Sequence, residues 1–427
     1  MARKKKRSVR KQAKRARARR RTQSRRPQAR KLHRKVVFIV IDGMADLPIN
    51  NKTPLSEAKK PNMDYMARNG LLGEIITVEK KLWTDVTNAS VSHIANLGLL
   101  GYNPKRYYLR RGPLEAVGAD QPFENGHLAI RCNFATVDKD LVVLERTAGR
   151  NSFGLDELAR YINEHVDIGV PFILRNTFEH RGVLIIKEKL SDKITNGDPF
   201  KAGECVRPVE AVAPEAERPA RLLQDFLDRA RGIIEFHAVN QERIKRGLPP
   251  ANYLLTREAG NKLPVIGNFC KLRGMQKAVC IAENGVMKAT CMLAGFNAIT
   301  VPEMKLESTL NFIFDSISNA LGEYDLVYAH IKGPDEPAHD GNFHSKRAMI
   351  ERIDKELEKF KDFSGILVIA TDHITACKTR QHEYGAVPIL IYGKGRENAG
   401  RFDEFTAKKG KLGLMTGKKL WQFLLKK

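Results

Sequence analysis

Four short, mainly apolar runs rich in β-branched residues stand out along the chain: 36–41 (VVFIVI), 325–329 (DLVYA), 366–370 (ILVIA) and 387–392 (VPILIY). A strand that shows no polar alternation is one buried on both faces, as in a parallel sheet. Segments of helical period separate these runs, at roughly 307–321, 345–360 and 417–425. Alternation of buried strands and amphipathic helices predicts an α/β fold, a mostly parallel sheet flanked by helices. Functional groups then belong at the carboxyl ends of the strands.

The middle of the chain follows another pattern. It has short alternating stretches at 127–134 and 182–186, a helix near 155–165, and a second helix near 217–231 after a passage containing Pro208, Pro214 and Pro219. This predicts a smaller α+β domain, residues 115–254, inserted into a core built from 36–114 and 255–427.

Composition bounds the function classes. The 427 residues suffice for two or three domains, and 42% apolar content excludes full-length disorder and a fibrous fold. No apolar run approaches the roughly 20 residues of a membrane span, and the N-terminus has no apolar core of a secretory signal. Six scattered cysteines (Cys132, Cys205, Cys270, Cys280, Cys291, Cys377) form no C-x-x-C pair. That pattern suits a reduced, cytoplasmic chain in which they act as small core hydrophobes. The net charge of +25 is concentrated at one end: residues 1–35 hold 19 Lys/Arg and no acid, and taking those from 74 leaves 55 basic against 49 acidic residues. Such an arm cannot bury a core. It reads either as solvated chain or as a phosphate-seeking contact for RNA or the ribosome.

Candidate chemistry clusters after the apolar runs. Asp42 follows the first, and Asp372-His373 follow the third after a single Thr. The stretch 330–344 (HIKGPDEPAHDGNFH) follows the second, and places Asp335 and His339 four apart, hence on one helical face. His382 precedes the fourth run. Taken alone, Asp and His in a Gly/Pro-rich loop serve as caps and turn residues. Three carboxylate or imidazole groups at the edge of one sheet favour a metal site, and five or six O/N ligands without cysteine suit two divalent ions of the Mn²⁺/Zn²⁺/Mg²⁺ class. Ser92 precedes a helix expected to begin near His93, where the helix dipole and a metal would favour an ionised hydroxyl. The plainer reading of Ser90 or Ser92 is an N-cap.

A longer set of motifs resembles one family: FIVIDGMAD (38–46), SEAKKPNMDYMARNGLLG (56–73), ANLGLLGYNP (95–104), RRGPLEAVG (110–118), AIRCNFATV (129–137), TAGR (147–150), HRGVLII (180–186), NGDPF (196–200), PANYLLTREAG (250–260), HIKGPDEPAHDG (330–341), ATDHITAC (370–377) and QHEYGAVPIL (381–390). The pattern is similar to the archaeal type of 2,3-bisphosphoglycerate-independent phosphoglycerate mutase, in the alkaline phosphatase superfamily. The resemblance implies an alkaline-phosphatase-like core, and one metal held by Asp42, Ser92, Asp372 and His373 with a second held by Asp335, His339 and His382. Mn²⁺ is the first expectation, with Zn²⁺, Mg²⁺ or Co²⁺ as alternatives. It further implies that Ser92 is the nucleophile that takes the phosphoryl group of 3-phosphoglycerate and returns it to the 2-position. An anionic substrate calls for arginine forks, and Arg131, Arg150, Arg181, Arg257 and Lys288 lie in matching stretches, Arg257 and Lys288 foremost. The chain departs from the family at His93, where Asp is usual, at Glu258 (REAG for RGAG), in DHITAC, and in the C-terminal stretch KKGKLGLMTG. Two other readings stand beside the mutase: another phosphoryl-transfer enzyme on this scaffold (a phosphatase or a homoserine-kinase-like protein), and an RNA- or ribosome-associated protein with an idle core.

Overall fold

Six consecutive apolar residues at Val36–Ile41 need cover on both edges and both faces. The computed structural model, which describes residues 34–85, 91–107 and 110–426, supplies all four. Along its edges this strand pairs in parallel with Leu326–Ile331 on one side and Ile366–Ala370 on the other. Its faces alternate between two apolar clusters: Val36, Phe38 and Val40 point into one, and Val37, Ile39 and Ile41 into the other. The arm at 1–33 and Ser90 lie outside the described residues.

The full sheet has eight strands in the order Leu414–Thr416, Gly70–Ile76, Val387–Tyr392, Ile366–Ala370, Val36–Ile41, Leu326–Ile331, Ala278–Glu283 and Asn297–Val301. Pairing is parallel throughout except on the two sides of Val387–Tyr392. The expected α/β class is therefore observed. Helices Leu306–Ala320, Phe343–Glu356 (continued by a 3₁₀ turn to Phe360) and Gly417–Leu424 flank the sheet. The run expected to end at Ala329 continues to Ile331, because His330 is buried inside the strand, 6% exposed and opposite Val40. Five of the six cysteines are buried. Among the described residues no helix is long and apolar enough to cross a membrane.

A second sheet, wholly antiparallel, combines Val143–Glu145, His127–Val137, Arg181–Lys189, Phe172–Phe178 and Tyr253–Gly260. Helices Leu155–His165 and Glu217–Ile234 pack on it through a separate apolar cluster that includes Leu158, Phe226 and Leu227.

The loops after the central parallel strands are tied together by one buried cation. Lys346, fully buried on helix Phe343–Glu356, donates to the carbonyls of Ala45 (2.9 Å) and Thr375 (2.7 Å) and pairs with Asp46 Oδ2 at 2.9 Å. Asp46 in turn accepts from the backbone N–H of Cys377. This knot fixes the segment after Val36–Ile41 against the segment after Ile366–Ala370. Lys346→Ala leaves Asp46 buried without its cation, so a loss of about 3–5 kcal/mol is expected in urea denaturation; a loss below about 1 kcal/mol, the range of exposed pairs, would show that the knot is not what joins the loops.

Candidate metal centre and active-site cavity

Three adjacent parallel strands deliver three carboxylates to one place. Asp42 follows Val36–Ile41, Asp372 follows Ile366–Ala370, and Asp335 opens the short helix Asp335–His339 beyond Leu326–Ile331. The turn after Asp42 requires glycine: Gly43 has φ +58°, and a Cβ there would lie 2.5 Å from Thr375 Oγ1 and 2.7 Å from Asp335 Oδ1.

Around Asp372, Gly43 N (3.2 Å) and His373 N (3.0 Å) donate to Oδ1, and Asn96 Nδ2 (3.1 Å) donates to Oδ2. Asn96 lies one turn beyond Ser92 on helix Val91–Leu99 and accepts from the Tyr328 hydroxyl at 2.5 Å. The helix was expected to start after Ser92; instead it begins at Val91, so Ser92 lies in the first turn. His93 is buried in the same turn.

Ser92 Oγ sits 3.1 Å from His373 Nε2. That nitrogen also lies 3.3 Å from Asp42 Oδ1 and 3.4 Å from Asp372 Oδ2. Thr375 links this group to the next: its hydroxyl donates to Asp335 Oδ1 at 2.6 Å and lies 3.0 Å from His373 Nδ1. Because the Thr375 proton is committed to Asp335, His373 must hold its own proton on Nδ1, which leaves the Nε2 lone pair facing inward. His339 is arranged the same way, with Nδ1 against the Arg380 carbonyl (2.9 Å) and Nε2 inward. His339 Nε2 and His382 Nε2 are 3.1 Å apart and each is 3.5 Å from an Asp335 oxygen.

The structure thus brings together all seven candidate ligands. Asp42, Asp372 and His373 each present an atom within 4.8 Å of the others, as do Asp335, His373 and His382, so His373 stands between the two groups. The electrostatics call for cations. Burial, then Asp372 and Asp335, pushes the Asp42 carboxyl well above its ordinary range, and Asp42 Oδ1 is buried without a hydrogen-bond partner. Burial holds His373 down at about 4, so its imidazole is neutral. Burial would raise Asp335 too, but the His339 and His382 imidazoles beside it, with His373, carry it well below the usual carboxylate value. Acceptor-only atoms packed at these distances suit divalent ions with O/N preference.

A cavity of about 670 Å³ opens from this cluster toward the second sheet. Arg131, Arg150, Arg181 and Arg257 line it. Arg131 and Arg257 face each other on paired strands. Burial, then Arg111 and Arg257, lowers Arg131 well below its ordinary value, and burial lowers Arg257 to about 10. Burial with Arg181 and Arg131 takes His180 down to about 2. Arg131 Nε and Nη1, Arg181 Nε and Arg257 Nε are buried donors without hydrogen-bond partners. So much unsatisfied positive charge is a receptor for an anion.

Lys288 does not join them. Its neighbours Val286 and Met287 reach the cavity, but the next position on helix Val286–Leu293 is rotated by about 100°, and its ammonium is held by Asp120 Oδ2 (2.5 Å) and Asn284 Oδ1 (3.2 Å).

Several cavity residues were not singled out by the sequence. Arg146, Arg111, Glu115, His180, His330 and Lys332 all line it. Asp198, fully buried in the NGDPF stretch, grips Arg146 with both oxygens (3.1 and 2.6 Å) and lies 3.7 Å from Arg257 Nη1. Glu115 sits 3.6 Å from both Arg111 and Arg131. The departure at Glu258 has a backbone cost: φ is +55° beside an irregularity in strand pairing, a conformation that costs a non-glycine residue about 1–2 kcal/mol.

A family model described as 2,3-bisphosphoglycerate-independent phosphoglycerate mutase matches residues 67–240. A protein of that name from Methanocaldococcus jannaschii is 36% identical over 405 residues, covering 92% of this chain and 96% of that one. The solved cofactor-independent phosphoglycerate mutase from Thermoplasma acidophilum superposes with a TM-score of 0.57 at 30% identity, covering 92% of this chain and 99% of that one. A solved protein from Pyrococcus horikoshii gives a TM-score of 0.71 at 27% identity, covering 92% and 98%.

A divalent cation at a hundredfold excess over its Kd should stabilise the fold by about 2.7 kcal/mol per site, read as a rise in Tm that Asp335→Asn/Asp372→Asn removes; a wild-type Tm indifferent to Mn²⁺, Zn²⁺, Mg²⁺ and Co²⁺ alike would mean the cluster holds no cation.

Proposed function

The chain belongs to the 2,3-bisphosphoglycerate-independent phosphoglycerate mutase family, and on that premise we propose that Ser92 carries the phosphoryl group between the two hydroxyl positions of phosphoglycerate. The activity is an isomerisation: 3-phosphoglycerate and 2-phosphoglycerate are interconverted by intramolecular phosphoryl transfer, and the enzyme is metal-dependent. The observation that carries the role of Ser92 is its hydroxyl, 3.1 Å from His373 Nε2 at the floor of an arginine-lined cavity.

In this reading Asp42, Ser92, Asp372 and His373 would hold one divalent ion, and Asp335, His339 and His382 would hold the other. Bound there, two such ions lower the pKa of the serine hydroxyl and offset charge on the transferring phosphoryl group. Mn²⁺ is the proposed pair, since carboxylate and imidazole ligands without sulfur suit it.

Arg131, Arg150, Arg181 and Arg257 bind the phosphate and carboxylate, joined by Arg146. Lys288 has no part in this. Ser92 Oγ attacks phosphorus as the 3-oxygen of the substrate departs and takes up a proton. Glycerate then turns within the cavity, and its 2-oxygen attacks the phosphoserine, losing its proton. The protons released and gained cancel over the cycle. Retention of glycerate is essential, and enclosure by arginines of the second sheet provides it. We take the two sheets as two domains, core 36–114 with 255–427 and insert 115–254. The end of the insert moves to 260 so that Tyr253–Gly260 stays whole with its sheet.

For the arm at 1–35, acid-free with 19 Lys/Arg, we propose contact with RNA or the ribosome, and we place the enzyme in the cytoplasm.

Two outcomes test these roles. Ser92→Ala should lower mutase turnover by at least about a thousandfold while the Tm of the ion-free protein stays as it was, and acid-quenched wild type should yield a phosphorylated peptide containing Ser92; near-normal turnover of the variant would assign the nucleophile elsewhere. Deleting residues 1–33 should abolish salt-sensitive retention on RNA and leave mutase turnover as it was; equal retention by the shortened chain would remove the arm from that role.

A further inference from the structure

His330 is a buried imidazole that the reaction above leaves unused. It sits at the end of the central strand Leu326–Ile331, locked in register with Val40, and is 6% exposed. Its Nε2 has no hydrogen-bond partner, yet lies 3.8 Å from Asp42 Oδ2 and 3.8 Å from Asp372 Oδ2.

The two carboxylates differ in how they are held. Asp372 receives three donors within 3.2 Å, from Gly43, His373 and Asn96, and is further held low by the His330 imidazole. Asp42 Oδ1, the oxygen turned toward His373, has none. Its other oxygen faces His330. A carboxylate that is to offer one oxygen to a cation needs its second oxygen fixed, or it rotates and the ligand set loosens. An imidazole N–H on a rigid strand can do this.

We propose that His330 is a positioning residue for the metal centre, its Nε2–H orienting Asp42 through Oδ2 so that Oδ1 is presented beside His373. Since Asp42 and Asp372 are presented from adjoining strands, the same imidazole sets the spacing between them. This inference rests on the two-cation reading, and its test separates the two.

Mn²⁺ titration calorimetry of the full chain, His330→Asn and His330→Gln provides that test. The glutamine amide reaches the position of the imidazole Nε2, whereas the asparagine amide stops short of it. His330→Asn should weaken one Mn²⁺ site about 10–100-fold, His330→Gln should stay within about threefold of wild type, and all three should bind two ions at saturation. An asparagine variant that binds like wild type overturns the proposal. One ion per chain in both variants also overturns it, by making His330 a ligand. Wild type that binds no Mn²⁺, Zn²⁺, Mg²⁺ or Co²⁺ sinks the two-cation reading itself, and leaves His330 nothing to position.

Discussion

Three carboxylates are buried against one another where the central parallel strands end, and the rest of the molecule answers that repulsion. Burial, then Asp372 and Asp335, raises the cost of ionising Asp42. Lys332, on the same cavity, offsets part of this, and the buried Lys346 is spent on Asp46. The backbone N–H groups of Gly43 and His373 and the Asn96 amide offset part of the charge on Asp372. Thr375 fixes the proton of His373 so that a lone pair, not an N–H, faces the cluster. Each of these choices builds a receptor for divalent ions at the expense of the apo fold.

The second sheet carries the opposite excess. Arg111, Arg131, Arg181 and Arg257 crowd until burial and mutual repulsion depress Arg131 and Arg257 below their ordinary values. Two buried acids set their positions: Asp198 between Arg146 and Arg257, and Glu115 between Arg111 and Arg131. Negative floor and positive wall face each other across the cavity. A phosphorylated carboxylic acid, with bridging cations, is the kind of ligand that satisfies both.

How much of this the sequence showed depended on the kind of signal. Strands at Val36–Ile41, Ile366–Ala370 and Val387–Tyr392 were legible to the residue, because an unbroken apolar run has few alternatives. Asp42, Asp372 and His373 were conspicuous because polar residues rarely follow such runs without purpose. The start of the Ser92 helix was legible only to within about two residues, since Ser90 and Ser92 are both plausible caps. His330 was missed for the opposite reason: a histidine after DLVYA reads as the end of a strand, and only the neighbouring strands show it to be buried. Lys288 illustrates helical phase, which a motif match does not convey. Asp198, Glu115 and Arg146 are ordinary polar residues until tertiary pairing brings them together.

Anomalous diffraction from crystals of the wild-type chain soaked with Mn²⁺ tests the central claim most directly. Two peaks are predicted, one bounded by Asp42, Ser92, Asp372 and His373, the other by Asp335, His339 and His382. Peaks elsewhere, or none at these two groups at full soak, would contradict a two-cation centre built on the ends of the parallel strands.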